Sequence, residues 1–292
     1  MSKKKSREEL EKEFEEIELK NWFNVYNWNA LKDKSYEEAC AQILKEHFTE
    51  LEDNFNNCSK NNCRENNFCQ DGHDGCANIK SNEEKFTEKR MCYALYNAYN
   101  KEPFGVLGKI IDYEVPLKKD LRDKKGKIDL LGYDESSGSL NIIEVKQPNS
   151  NESILKAILE VFVYSKLVQE VKKNFVKEYN EFIKDKEDSI SIPKEIIFSP
   201  NVLTFKQATS GKQLEEGLSN ETKKLLSKLN SVLKQQGLTE IRFFYFTNKI
   251  EKGEKYLNTM TVGDKKRITF ISCFIPTFEQ KDVLRDETII QK

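Results

Sequence analysis

Histidine is nearly missing from this chain of 292 residues: His47 and His73 are the two present. A mechanism that relies on several imidazoles therefore has little to draw on. Charge of one sign is not in excess either, with 48 Lys and Arg against 49 Asp and Glu. The balance argues against broad electrostatic attachment to a polyanion, so any such surface must be local. No apolar run approaches the roughly 20 residues of a membrane span, and the opening MSKKKSREELEKEF has no apolar core of a signal peptide. A cytoplasmic chain with no membrane partner is the expectation. There is no P-loop, no dinucleotide glycine fingerprint and no internal repeat.

What is present is a polar but foldable composition, 37% hydrophobic and 33% charged, on a chain long enough for a sizeable core. One large domain, or a core with an appendage, fits the length. Residues 1 to about 20 carry Glu and Lys at helical spacing with few apolar anchors, as an exposed helix or frayed tail would. Trp22, Phe23, Tyr26 and Trp28, then a helical pattern through Ala39 and Leu44, read as short helices packing on the main body.

Four of the seven cysteines follow in a short Asn-rich stretch: Cys58, Cys63, Cys69 and Cys76, with His73 among them. Such a stretch has no apolar periodicity of its own and gains order from a cross-link. A structural zinc ion on the four cysteines, with His73 as substitute, is one reading. Disulfides, an iron–sulfur cluster and thiols in a loop are the others, since the spacing does not form two C-x-x-C knuckles. We divide the chain into an N-terminal helical, Cys-rich accessory region, 1–80, and a main domain, 81–292.

The main domain is organised around GKIDLLGYDESSGSLNIIEVK, residues 126–146. Two runs rich in Ile, Leu, Val and Tyr, Lys127 to Asp134 and Ser139 to Lys146, flank a Glu-Ser-Ser-Gly turn and predict an antiparallel hairpin. Pairing Asp134 with Ser139 brings Asp129 opposite Glu144, and the period of two keeps Lys146 on that face. Three ionisable groups among apolar neighbours must pair, bind a metal or do chemistry. A structural ion pair on a solvated face is the plain alternative.

The remaining pattern is read in order. Ser81 to Glu84 has capping-box spacing and opens a helix to about Asn100. Val106 to Val115 reads as a first strand ended by Pro116, and a helix runs from about Asn151. Lys194 to Pro200 reads as a fourth strand, followed by one amphipathic helix from Leu214 to Gln236. Strand-like runs over Ile241–Thr247 and Arg267–Ile275 enclose a loop or hairpin.

Gly126-Lys-Ile-Asp129 followed by Glu144-Val-Lys146 resembles the PD-(D/E)xK nuclease superfamily, particularly its RecB-like and mismatch-nuclease branches. Ile128 stands where the proline that names the motif would be. The resemblance implies an α/β (α+β) fold: a restriction-endonuclease-like αβββαβ core, with a central mixed sheet flanked by helices. It implies a metal-dependent nuclease, with DNA preferred to RNA as substrate, whose catalytic residues are Asp129, Glu144, Lys146 and, from the preceding helix, Glu88, with Glu84 as second choice.

Asp129, Glu144 and the Val145 carbonyl would hold Mg²⁺ or Mn²⁺, both of which prefer hard oxygen donors. Tyr164, Lys127 and Gln147 are the candidate substrate contacts. Tyr164 answers to the second residue of a Gln-x-x-x-Tyr motif whose first is here Glu160. Core packing of Tyr164 and a solvated Glu–Lys face at Glu88 are the competing readings. So is a catalytically silent module that binds nucleic acid or protein. Cutting both strands with one site per chain would favour a homodimer.

Overall fold

The structure is a computed structural model that describes residues 37–53, 56, 64–69, 88–117, 126–183, 191–250, 256–263, 265–272 and 274–284. Helices Glu37–Glu46 (α1) and Glu88–Tyr99 (α2) precede strands Lys109–Pro116 (β1), Lys127–Asp134 (β2) and Ser139–Val145 (β3). Helices Ile154–Glu170 (α3) and Lys172–Ile183 (α4) lead to strand Ile197–Phe205 (β4). Then come helices Thr209–Glu216 (α5) and Asn220–Gln235 (α6), strand Arg242–Phe246 (β5), the hairpin Leu257–Val262 (β6) and Lys265–Phe270 (β7), and strand Phe278–Lys281 (β8).

Six strands form one mixed sheet in the order β1-β2-β3-β4-β5-β8, flanked by helices, and β6–β7 is a separate ribbon. The β1–β2 and β2–β3 pairs are antiparallel, β4 lies parallel to β3 and β5 parallel to β4, and β8 closes the edge antiparallel. No helix among the described residues is long and apolar enough to cross a membrane.

The side-chain period of two divides the sheet into two cores. Leu131, Ile142, Phe198, Val202 and Phe243 pack against α1, α3, α4 and α6. Leu130, Ile143, Val145, Leu203 and Phe244 face α2 and the β6–β7 ribbon. β3 is buried along its whole length, its polar Ser139, Asn141 and Glu144 included. α1 is continuous with the first core through Cys40, Ile43 and Leu44. Its Glu37 accepts hydrogen bonds from Gln213 and, at 3.2 Å, from Thr222.

Several boundaries differ from the sequence reading, each for a physical reason. The first strand begins at Lys109, because Gly105–Leu107 form a 3-10 turn that ends at Gly108 with φ 72°. A Cβ on Gly108 would stand 2.1 Å from the Tyr133 carbonyl oxygen, so only glycine lets the turn lie this close to β2.

β4 runs past Pro200 to Phe205. Along it, Leu203 turns its carbonyl to β3, so Pro200 faces the β5 side, where pairing begins one residue later at Asn201. The missing N–H therefore meets no ladder partner. The helix expected over 214–236 is two, broken at Gly217 with φ 88° and restarted by Ser219, whose Oγ accepts the Thr222 N–H. α3 starts at Ile154 because Ser153 caps it in the same way, accepting the Lys156 N–H at 3.3 Å. β8 carries no apolar alternation, which hid it from pattern reading.

Candidate active site

The hairpin register continues from Leu130 opposite Ile143 and Asp134 opposite Ser139, which makes Asp129 and Glu144 the next facing pair. Both are buried. The Val145 N–H donates to Asp129 Oδ2 at 2.8 Å, fixing that carboxylate against the next strand. Glu88, the first residue of α2, brings a third carboxylate, and one oxygen from each of Glu88, Asp129 and Glu144 lies within 4.8 Å of the others. Glu144 Oε2 is buried and accepts no hydrogen bond.

Lys146 stands beside this triad with its side chain 2% exposed. Its Nζ lies 2.6 Å from Glu144 Oε1, 2.9 Å from Glu160 Oε2 and 3.0 Å from Glu152 Oε2. Lys156 Nζ bridges the latter two, bonding Glu152 Oε1 and lying 3.3 Å from Glu160 Oε1. Lys146, Glu160, Lys156 and Glu152 thus close a ring of alternating charge that is neutral by itself. Lys146 also bonds Glu144, so the three triad carboxylates share a cation that Glu160 and Glu152 already engage.

The electrostatics follow from that division. Burial, and then the Glu88 carboxylate, push Asp129 well above the usual carboxylate range. Burial and Asp129 do the same to Glu144. Burial also raises Glu88, with Glu160 and Glu152 adding to it. For Lys146 burial opposes the charge, but Glu144, Glu160, Glu88 and Glu152 outweigh it and hold the ammonium well above the lysine range. Burial likewise opposes ionisation of Glu152, and Lys146 and Lys156 prevail, lowering it to about 2. A neutral ring beside a proton-hungry triad is the pattern that convergent like charges produce.

Three converging carboxylate oxygens, one of them buried and unpartnered, fit a hard divalent cation such as Mg²⁺ or Mn²⁺. Nearby on β1, Glu114 adopts φ 53° in the register position opposite Asp129. Its Oε2 takes Lys127 at 3.4 Å and Lys89 at 3.9 Å. Lys127 is therefore tethered at the rim. Gln147 is half-buried in the turn after β3, its carbonyl accepting the Ser150 N–H at 3.0 Å. Tyr164 is 4% exposed within the core that packs on α3.

Of the proposed zinc ligands, Cys58, Cys63, Cys76 and the substitute His73 lie outside the described residues, as do Glu84 and the capping box at Ser81. Cys69 packs partly buried against the first core, and its N–H donates to Glu178 Oε1 at 2.8 Å. Sequence reasoning did not single out Glu152 and Lys156. The signal was there: Glu152, Lys156 and Glu160 recur every four residues from just before α3 into it, where Ile154 to Val163 are otherwise apolar. Comparison of the chain with protein-family models, with curated proteins and with solved structures gave no match.

Proposed function

We propose that the chain is a metal-dependent nuclease that hydrolyses phosphodiester bonds, with a PD-(D/E)xK-type active site on the β2–β3 hairpin. The observation that carries the reading is the buried convergence of Glu88, Asp129 and Glu144 beside Lys146, with Glu144 Oε2 left unpartnered. The chain order supports it as well. A helix, three antiparallel strands and a fourth strand parallel to the third follow the order of the restriction-endonuclease-like core that the motif resemblance implies, with two helices, α3 and α4, in place of one before the fourth strand.

In this reading Asp129, Glu144 and Glu88 hold Mg²⁺ or Mn²⁺, with the Val145 carbonyl as a further donor. The ion supplies Lewis-acid polarisation of the phosphate and a more acidic water. Val145, through its N–H, keeps Asp129 facing the site. Lys146 brings a fixed positive charge to where negative charge grows on the phosphoryl oxygens. Lys127 and Gln147 flank the site as candidate contacts to the nucleic-acid backbone. DNA is the substrate that the resemblance favours over RNA.

A panel of single- and double-stranded DNA and RNA, incubated with Mg²⁺ or Mn²⁺, tests the reading. Cleavage should require the metal and disappear in Asp129→Ala and Lys146→Ala, both still folded by circular dichroism. Full activity in either purified variant would overturn the assignment. Calorimetric Mn²⁺ binding should weaken in Glu144→Ala, and equal binding by both proteins would remove the metal role.

A further inference from the structure

We propose that Glu160 and Glu152, braced by Lys156, are positioning residues that hold the Lys146 ammonium in place for the reaction, an inference that rests on the nuclease reading above. An ammonium has three N–H donors. Lys146 has three carboxylate neighbours, at 2.6, 2.9 and 3.0 Å, so all three donors are engaged. Glu144 is shared with the metal triad, whereas Glu152 and Glu160 bond only lysines, so two of the three anchors are dedicated to holding the ammonium.

A lysine side chain has four rotatable bonds and gains precision only from what grips its end. The grip here comes from α3 and the turn before it, which places it on an element independent of the strand that carries Lys146. Lys156 gives both carboxylates a second partner, so neither can swing away without breaking two ion pairs. This matters because about 1 Å of misplacement of a reacting group costs on the order of 100-fold in rate. A carboxylate at position 160 is required: an uncharged amide keeps the shape but has a single acceptor oxygen, so it loses the charge-assisted bond to one of the two lysines.

The experiment compares wild type with Glu160→Gln, Glu160→Asp and Lys156→Met, each checked for fold by circular dichroism. Glu160→Gln should lower kcat by about 10- to 100-fold with KM for the nucleic acid and Mn²⁺ affinity unchanged, and Glu160→Asp should restore part of it. Lys156→Met should act in the same direction, more weakly. An amine-acylating reagent, read by mass spectrometry at Lys146, supplies a readout that does not involve cleavage. The residue should react about tenfold faster in Glu160→Gln, the equivalent of one lost charge-assisted bond.

A wild-type kcat in Glu160→Gln, a loss of Mn²⁺ binding in that variant, or acylation at the wild-type rate would each overturn the positioning role. If wild type cleaves nothing in the panel, the nuclease reading fails and the acylation rates still decide whether the ring holds Lys146.

Discussion

Asp129 is the residue at which the competing demands of stability and chemistry meet. It is buried beside Glu88 and Glu144, and it accepts the Val145 N–H. An asparagine can still accept that N–H while removing one of the three crowded charges. Asp129→Asn should therefore raise the metal-free unfolding free energy by about 1–3 kcal/mol, measured by urea titration, while abolishing any stabilisation by Mn²⁺. A less stable variant would mean that the triad carboxylates do not repel one another.

Glu152 behaves in the opposite sense. Its carboxyl is held down to about 2 in the folded protein against an ordinary 4.5. It therefore contributes stability above the unfolded value, and that contribution is lost as pH falls from about 4.5 towards 2. Glu152→Gln should be less stable than wild type by on the order of 2 kcal/mol at pH 7, with the gap closing in that acid window. A gap that stays constant with pH would refute the linkage.

At the level of elements, two local devices fix how the site-bearing segments start. Ser153 caps α3, and Ser153→Ala should cost about 1 kcal/mol. Gly108 lets the 3-10 turn lie against Tyr133 in a backbone region open to glycine. Gly108→Ala should cost more, about 3 kcal/mol or the fold itself. Urea titrations that rank the two in the reverse order would contradict the close approach at Gly108.

These elements also show what a sequence can convey. The β2–β3 hairpin and its register were legible because alternation and a Glu-Ser-Ser-Gly turn leave one way to pair the strands, and the pairing puts Asp129 against Glu144. The break at Gly217 was not, because one amphipathic stripe continues across both α5 and α6. Pro200 suggested a strand end, although it lies where β5 has yet to begin pairing. Glu152 and Lys156 were hidden by their own pattern: charges four apart on a helix ordinarily mark a solvated face, and their burial comes from the strand that α3 covers.

Over the whole molecule, the sheet divides labour between its two sides. One core joins α1, α3, α4 and α6 to the strands, the other seats α2 and the β6–β7 ribbon, and the carboxylate cluster draws ligands from both the hairpin and α2. Asp129, Glu144, Lys146, Glu152, Lys156 and Glu160 all come from one uninterrupted stretch of chain that needs only the hairpin and the helix after it to dock. Read in time rather than in space, this means that the mutual repulsion of Asp129 and Glu144 arises as early as that unit forms. Millimolar Mn²⁺ should therefore raise the folding limb of the chevron plot at least as much as it lowers the unfolding limb. A cation effect confined to unfolding would show instead that the carboxylates converge only after the barrier has been crossed. The same short stretch that would carry the chemistry would then also set the pace at which the protein acquires it.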